Sequence, residues 1–287
     1  MTAAQGREEV GLDLGATLSK AVVVPAGAPL DTFETFVCPS GDLRGLLSFL
    51  AGRTAPLVAA TGSGAHPLAA LLSGTHSVFI ADEFEAWGLG ERSLLRKADF
   101  VPTTPHLLVS VGTGTSILRV DADGAITRVG GTGLGGGTLR GLSQLLFGTG
   151  EHDEIADLAR LGDRRRVDLL VKDLYANGEI AIDGDLTAAN LARVTSREPK
   201  DLAHGLVGLV GESIGVLAGA LARRGVPGGP VDVVYAGTTL ARNVPLRDVL
   251  AYATSIAGAT ARFLPFGEFV GAVGAIEAAR RSDSPTR

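Results

Sequence analysis

Two stretches of the sequence share one pattern, in which a pair of apolar strands is joined by a short turn of glycine and threonine. The first stretch spans residues 10–24, and the second spans residues 107–120, about a hundred positions later. Each opens a run of predicted strands that gives way to helices, an order typical of α/β sheets. Because a repeated unit predicts a repeated structure, we expect a duplicated α/β fold with domains over residues 1–106 and 107–287.

The remaining elements follow from apolar periodicity and from the positions of glycine and proline. Further strands are predicted over residues 31–38, 57–61, 78–80, 125–129 and 231–235. Helices are predicted over residues 43–50, 138–147, 155–161, 167–175, 202–223 and 269–280, and a helical stretch follows Glu83 as far as Leu95. Each half therefore has enough strands and helices to bury a core of its own.

Composition argues against several kinds of partner and site. The net charge of −5 and the lack of a basic stripe argue against binding to nucleic acid, and we interpret the run Arg164, Arg165, Arg166 as a solvated helix face. The chain starts without an apolar signal core, and the uncharged stretch over residues 100–118 contains two prolines, so neither export nor membrane insertion is expected. The single cysteine, Cys38, excludes an internal disulfide and fits a reducing, cytoplasmic setting, where we expect it to pack in the core.

Turns of glycine and threonine at strand ends suit a nucleoside triphosphate. Their unhindered backbone N–H groups can converge on phosphate oxygens, and the hydroxyls add donors. Three such turns occur, at residues 15–17, 112–115 and 236–239, although a tight turn that binds no ligand is the commoner meaning of any one alone. The sequence has no Walker A string and no Gly-x-Gly-x-x-Gly after the first strand, which argues against P-loop and simple Rossmann folds.

Charged residues near these turns have both a functional and a structural interpretation. Asp13 could hold a hydrated magnesium ion that bridges phosphates, or it could simply cap the turn. Lys20 could neutralise phosphate charge, or it could be a solvated lysine at a strand end. Glu83 could accept the proton of a phosphoryl acceptor hydroxyl at the carboxyl edge of the sheet. Acids in a first helical turn also favour the helix dipole, and the residues alone favour that interpretation for Glu83.

The glycine-rich segment after the second hairpin is the most specific of these signals. Gly135, Gly136 and Gly137 lie directly before a predicted helix, so their N–H groups would join those of a helix N-terminus in attracting an anion. Arg128 precedes this run and could clamp a carboxylate through two parallel hydrogen bonds, or it could be an unpaired surface arginine.

Taken together and in this order, the motifs resemble those of the type II pantothenate kinases, in particular the bacterial branch. The segments that carry the resemblance are 13–20 (DLGATLSK), 111–116 (VGTGTS), 128–137 (RVGGTGLGGG), 184–190 (GDLTAAN) and 271–275 (GAVGA). The resemblance covers residues 10–276. It implies a two-lobed, actin-like (ribonuclease H-like) α/β fold with an ATP cleft between the lobes, a homodimer whose dimer helices lie in the second lobe, and ATP-dependent phosphorylation of pantothenate at the start of coenzyme A biosynthesis.

The resemblance also implies roles for individual residues. Glu83 corresponds to the catalytic base, Asp13 to the residue that holds Mg²⁺, and Ser116 and Arg128 to the pantothenate contacts. The residues implied in ATP binding are those of the first turn and its flanks (Asp13, Gly15, Ala16, Thr17, Leu18, Lys20), the second turn (Gly112, Thr113, Gly114), the helix start (Gly135, Gly136, Gly137, Thr138) and the third turn (Gly237, Thr238).

One departure and two alternatives accompany this interpretation. The family usually has a second glycine where this chain has Ala16, and a methyl group there requires a negative φ. A sugar or amino-sugar kinase of the same fold is one alternative, although a single cysteine cannot build the zinc motif common among bacterial relatives of that type. A nucleotide-binding regulator that transfers no phosphate is the other, although the iron–sulfur activators on this fold need more cysteines.

Overall fold

The computed structural model describes residues 7–30, 32–53, 55, 57–175, 183–224 and 231–282. Its strands are β1 (Glu8–Leu14), β2 (Leu18–Pro25), β3 (Glu34–Pro39), β4 (Leu57–Thr61), β5 (Val78–Ile80), β6 (His106–Val111), β7 (Thr115–Val120), β8 (Ile126–Thr132), β9 (Leu169–Leu170), β10 (Thr187–Ala189), β11 (Asp232–Ala236) and β12 (Thr260–Phe263). Its α-helices are α1 (Leu43–Ala51), α2 (Ala65–Leu72), α3 (Glu83–Leu94), α4 (Gly136–Phe147), α5 (His152–Leu161), α6 (Val171–Leu174), α7 (Pro199–Ala222), α8 (Val244–Ile256) and α9 (Val270–Ser282).

The two predicted hairpins begin two sheets with the same topology. The described part of the first sheet has the order β3-β2-β1-β4-β5, and that of the second has the order β8-β7-β6-β11-β12. In each sheet the first strand of the hairpin pairs antiparallel with the second and parallel with a later strand. This repetition of strand order and direction confirms the duplicated α/β fold.

The chain forms two compact units that differ from the predicted division at residue 106. The first unit comprises Met1–Val101, Gly124–Thr127 and Leu264–Arg287, and the second comprises Pro102–Asp123 and Arg128–Phe263. Helix α9 therefore belongs with the first sheet, although it is the last element in sequence. Glycine explains the attachment, because a Cβ on Gly11 of β1 would lie only 2.1 Å from the carbonyl oxygen of Ala272 in α9.

The first sheet is covered by two kinds of helix. Leucines of α1 and α2, such as Leu50 and Leu68, pack against apolar residues of β1 and β2 in one buried cluster, which also contains Cys38 as expected. A second cluster is rich in alanine and joins α3 to α9 through residues such as Ala86 and Ala275. Small side chains let these two helices approach closely. This close packing fixes the position of α3, whose first residue is Glu83.

Helix α7 forms the centre of the second unit. Its buried residues, among them Leu206, Val210 and Ile214, pack against the second sheet and against α8. By length and hydropathy α7 could span a membrane, but 67% of its apolar window is buried inside the structure, as in the core helix of a globular protein. The structure therefore accounts for the apolar character of this helix by burial.

The prediction of a helix over residues 167–175 is wrong. The segment contains strand β9, which pairs with β10, and only the single turn of α6. Backbone hydrogen bonds link Val171 N–H to the Leu186 carbonyl and Lys172 N–H to the Gly184 carbonyl, so the segment 184–190 competes successfully for the groups that a helix would pair internally. The motif at 184–190 thus has a local structural role against β9.

The arginine run is only partly the solvated helix face that was predicted. Arg164–Arg166 form a short 3₁₀-helix. The side chain of Arg164 is 13% exposed and its Nη1 lies 2.6 Å from Oε1 of Glu212, while Arg165 and Arg166 are more than half exposed and pair with Asp163 and Asp201. Because each guanidinium faces a carboxylate, the run does not form an uncompensated basic patch.

Other differences concern elements that local patterns did not reveal. Helix α2 and the bounds of α8, β10 and β12 were not predicted, and strand β3 begins at Glu34 rather than at residue 31, which lies outside the described residues. The predicted bounds of β4 and β5 are confirmed. Helices 43–50 and 202–223 are confirmed to within a few residues, as expected for helix ends.

Candidate active site

In the first unit, Asp13 and Lys20 face each other across the β1–β2 hairpin. The two residues are register partners, and Lys20 Nζ donates to Oδ2 of Asp13 at 2.5 Å. Asp13 is 6% exposed, and a Cβ on Gly271 in the first turn of α9 would lie 2.8 Å from its carboxyl carbon. The Asp13 carboxylate is therefore held between Lys20 and the first turn of α9.

The tip of this hairpin is held by a residue from another strand end. Ser40, just after β3, donates its hydroxyl to the Gly15 carbonyl at 2.7 Å and its N–H to the Thr17 carbonyl at 3.0 Å. Leu18 closes the turn by accepting the Gly15 N–H at 3.2 Å. Ala16 is not among the described non-glycine residues with positive φ. Its methyl group is therefore compatible with the turn, although the family usually has glycine at this position.

Glu83 is the first residue of α3, directly after the helix N-cap. The Asp82 side chain accepts hydrogen bonds from the N–H groups of Phe84 and Glu85, both at 3.0 Å, which fixes the start of the helix. Glu83 is exposed at its surface, yet partial loss of hydration and then the negative charge of Asp13 raise its pKa above the ordinary value, with Lys20 acting in the opposite direction. Glu83 therefore lies within electrostatic reach of the charged pair on the β1–β2 hairpin.

Glycines fix the position of α3 against α9. A Cβ on Gly274 would lie 1.6 Å from the Ala86 carbonyl oxygen, and one on Gly90 would lie 1.9 Å from the Val270 carbonyl oxygen. Only glycine allows two backbones to approach this closely. The motif at 271–275 thus sets the spacing between the helix that bears Glu83 and the helix that touches Asp13.

In the second unit, three glycine-containing segments meet at the carbonyl oxygen of Gly112. This oxygen accepts the Gly136 N–H at 2.8 Å and the Thr239 hydroxyl at 2.8 Å. The neighbouring Thr113 carbonyl accepts the Gly137 N–H at 2.9 Å. The second turn, the start of α4 and the third turn are therefore parts of one hydrogen-bonded site, as the sequence predicts.

Close packing explains why this site is made of small residues. A Cβ on Gly135 would lie 2.8 Å from the Gly112 carbonyl oxygen, and Gly114 approaches the Thr132 carbonyl. Gly237 has φ +112°, which favours glycine, and lies against the backbone of Val111. Thr238 begins a short 3₁₀-helix after Gly237, and the Thr138 hydroxyl donates to the Gly133 carbonyl.

The two predicted substrate contacts lie near each other beside this site. A Cβ on Gly131 would lie 2.8 Å from Nη2 of Arg128 and 3.5 Å from Cα of Ser116. Ser116 is half-buried on β7, and Arg128 is exposed on β8. A hydroxyl and a guanidinium in this arrangement can both donate to a carboxylate.

Two residues of the site were missed by sequence reasoning. Thr239 follows the predicted Gly237 and Thr238 directly. Its position in the same glycine-threonine turn could have identified it as a residue of the site. Ser40 is 25 residues from Gly15 in sequence, and no local pattern connects them. The motif at 184–190 was singled out, yet its contacts, including that of Thr187 with Arg164, lie on the β9 side of the second unit.

Comparison with known proteins identifies the family of this chain. The Fumble family matches residues 67–278. Two proteins named type II pantothenate kinase, from Bacillus cereus (strain AH820) and Staphylococcus haemolyticus (strain JCSC1435), are 33% and 32% identical over 93% of this chain and cover 96% and 98% of their own lengths. The chain therefore belongs to the type II pantothenate kinase family.

The family assignment confirms the resemblance found in the motifs, and structural similarity confirms the fold. The activator of 2-hydroxyisocaproyl-CoA dehydratase from Clostridium difficile aligns with a TM-score of 0.60 at 17% identity, covering 98% of this chain and all of the activator chain. A ROK family glucokinase from Streptomyces griseus aligns with a TM-score of 0.59 at 13% identity, covering 96% and 99%. At these identities the likeness shows the actin-like α/β fold alone.

Proposed function

We propose that the chain transfers the γ-phosphoryl group of ATP to the terminal hydroxyl of pantothenate, forming 4′-phosphopantothenate in the first step of coenzyme A biosynthesis. Family membership supports the substrate, because full-length relatives are named for this activity. The observation that carries the mechanism is the position of Glu83 at the start of α3, where loss of hydration and then the charge of Asp13 raise the pKa of its carboxyl group. A proton acceptor beside a phosphate-binding turn is what a hydroxyl-directed kinase needs.

Glu83 is suited to act as the general base. The raised pKa makes its carboxylate a stronger proton acceptor than that of an ordinary glutamate. Its place at the start of α3 keeps the carboxylate at a fixed distance from Asp13, because α3 and α9 are locked by glycine contacts. The base would remove the hydroxyl proton of the acceptor as the new bond to phosphorus forms.

Asp13 is the residue that would hold Mg²⁺, and Lys20 would neutralise phosphate charge. No group of three histidine, cysteine or acidic side chains that could hold a metal occurs among the described residues. A single buried carboxylate fits Mg²⁺, which commonly takes one or two carboxylates and completes its shell with phosphate oxygens and water. When bound, the ion would supply charge neutralisation at the transferring phosphoryl group.

The second unit would supply the remaining contacts to substrates. Ser116 and Arg128 would bind the pantothenate carboxylate. The N–H groups of Gly136 and Gly137, expected from the sequence to face an anion, instead donate to the Gly112 and Thr113 carbonyls. The segments joined at Gly112 would therefore offer the nucleotide the N–H groups that they do not use among themselves, together with the positive end of α4. We further propose that the protein is cytoplasmic and forms a homodimer. Light scattering coupled to size-exclusion chromatography would measure the molar mass and so test the dimer directly.

The experiment that tests this function compares Glu83→Gln with Glu85→Gln. Both substitutions remove one charge from the first turn of α3, but Glu85 is two residues later and projects from a different face of the helix. Incubation with ATP, Mg²⁺ and pantothenate, followed by mass measurement, should detect phosphopantothenate for the wild type and for Glu85→Gln. Glu83→Gln should turn over at least a hundredfold more slowly while retaining ATP binding.

Two results would contradict the proposal. An unchanged rate in Glu83→Gln would remove this residue from the role of base. Phosphorylation of glucose or N-acetylglucosamine in place of pantothenate, when all are offered side by side, would assign the fold to a sugar kinase activity instead.

A further inference from the structure

A cavity lies at the opposite end of β6 from the phosphate turn. Its volume is about 290 Å³, and its walls come from the second unit alone, at the start of β6 and the end of α7. His106 is the first residue of β6 and lines the cavity, whereas Val111 is the last and precedes the Gly112 turn. With a rise of roughly 3.3 Å per residue, the strand separates the two places by about 17 Å.

All the ionisable side chains known to line this cavity are basic. They are His106, Arg119 and Arg224, and no acidic side chain is among the described lining residues. The His106 ring is buried and its Nδ1 contacts the Thr103 carbonyl at 3.0 Å, so this nitrogen is the donor. Arg119 uses Nε to bind Asp121 at 2.8 Å, and a guanidinium has further donors to offer.

Arg224 lines the cavity as an exposed residue just after the end of α7. Within the described residues no ion pair is found for its guanidinium, although most other arginines of the second unit face a carboxylate. Arg224, together with the donors that Arg119 does not use on Asp121, gives this concave place charge-assisted donors for an anion.

The rest of the lining is apolar and determines what kind of anion would fit. Leu107, Leu221 and Val231 contribute aliphatic surface, so an inorganic ion would leave this surface in contact with water. The volume is at the lower end of the range found for small-molecule sites. A lining that combines charged donors with aliphatic groups matches a small organic acid with a short apolar body.

We propose that this cavity is a second ligand site, separate from the phosphate turns, for a small organic anion that carries an aliphatic group. The site does not depend on the proposed kinase activity, because none of its lining residues belongs to the site described above. A nucleotide analogue and the anion should bind at the same time, since they occupy opposite ends of β6.

Hexanoate is a suitable probe, with hexanol and hexylammonium as controls of equal chain length. Titration calorimetry on the full chain, with a non-hydrolysable ATP analogue present, should detect hexanoate and should detect neither control at the same concentration. Arg224→Gln should raise the Kd for hexanoate about tenfold, as expected from loss of a charge-assisted hydrogen bond.

Arg223→Gln is the matched control variant. It removes the same charge one residue earlier, but the Arg223 guanidinium approaches Gly258 and is not part of the lining. Its Kd for hexanoate should equal that of the wild type. The proposal is overturned if hexanoate fails to bind, if hexanol binds equally well, if the ATP analogue displaces hexanoate, or if both arginine variants weaken binding to the same extent.

Discussion

The contact between α3 and α9 offers a demanding test of how the fold positions Glu83. Replacing Gly90 by alanine would place a Cβ 1.9 Å from the carbonyl oxygen of Val270, whereas ordinary contacts begin at 3.4 Å. Because the obstacle is backbone, the two helices must separate. Overpacking of this kind costs about 1–3 kcal/mol, against which alanine regains about 0.8–1 kcal/mol of helix propensity.

Gly88→Ala, two residues earlier in the same helix, is the matched control. A Cβ there would meet Cδ1 of Ile126 at 1.7 Å, the far end of a flexible side chain that can rotate away. The gain in helix propensity should offset most of that adjustment, so the free energy of unfolding should stay within about 1 kcal/mol of the wild type. Both variants are thus glycine-to-alanine changes in the same helix. They differ in whether the neighbouring atom belongs to rigid backbone, as for Gly90, or to a side chain that can rotate, as for Gly88.

Urea denaturation and steady-state kinetics together provide the assay. Because the obstacle is backbone, the upper part of the overpacking range, about 2–3 kcal/mol, applies, and Gly90→Ala should lose about 1–2 kcal/mol of unfolding free energy net of helix propensity. Its kcat should fall by roughly ten- to a hundredfold, since a catalytic group misplaced by about 1 Å has effects of that size. A Gly90→Ala protein as stable and as active as the wild type would refute the reasoning. Equal damage in Gly88→Ala would show that steric rigidity is not the cause.

Three further substitutions test individual contacts. Asp82→Asn keeps the N-cap but removes a negative charge that raises the pKa of Glu83. In the wild type, kcat/KM should rise with pH as Glu83 loses its proton, with a midpoint above pH 4.5, and in the variant this midpoint should move to lower pH. A midpoint that stays in place would contradict this. Thr239→Val removes one of the two hydrogen bonds to the Gly112 carbonyl and should raise KM for ATP about two- to tenfold, whereas Thr239→Ser should restore the wild-type value, and failure of that rescue would indicate a packing role. Arg128→Ala should raise KM for pantothenate by an amount equivalent to about 1.5–3 kcal/mol, and an equal rise in KM for ATP would argue against a specific contact with the pantothenate carboxylate.

Features set by short stretches of chain were predictable from the sequence. The two hairpins, the strands at 57–61 and 78–80 and the helix that starts after Asp82 depend on neighbouring residues: apolar alternation, glycine at a turn, an acidic N-cap. The duplication followed as well, because it is written as a repeated local pattern. The motifs likewise indicated the family, because each of them is a short contiguous run of residues.

Features that depend on residues far apart in sequence needed the tertiary structure. The residues alone favoured a helix-dipole role for Glu83, and only the packing of α3 on α9 brought it within reach of Asp13 and Lys20. Ser40 supports a turn 25 residues away, and α9 joins the first sheet from the end of the chain. The segment 167–175 has helical character by itself, but pairing with residues 184–190 decides otherwise. Sequence patterns record the preferences of neighbouring residues, whereas packing and hydrogen bonding between distant segments decide which of those preferences prevail.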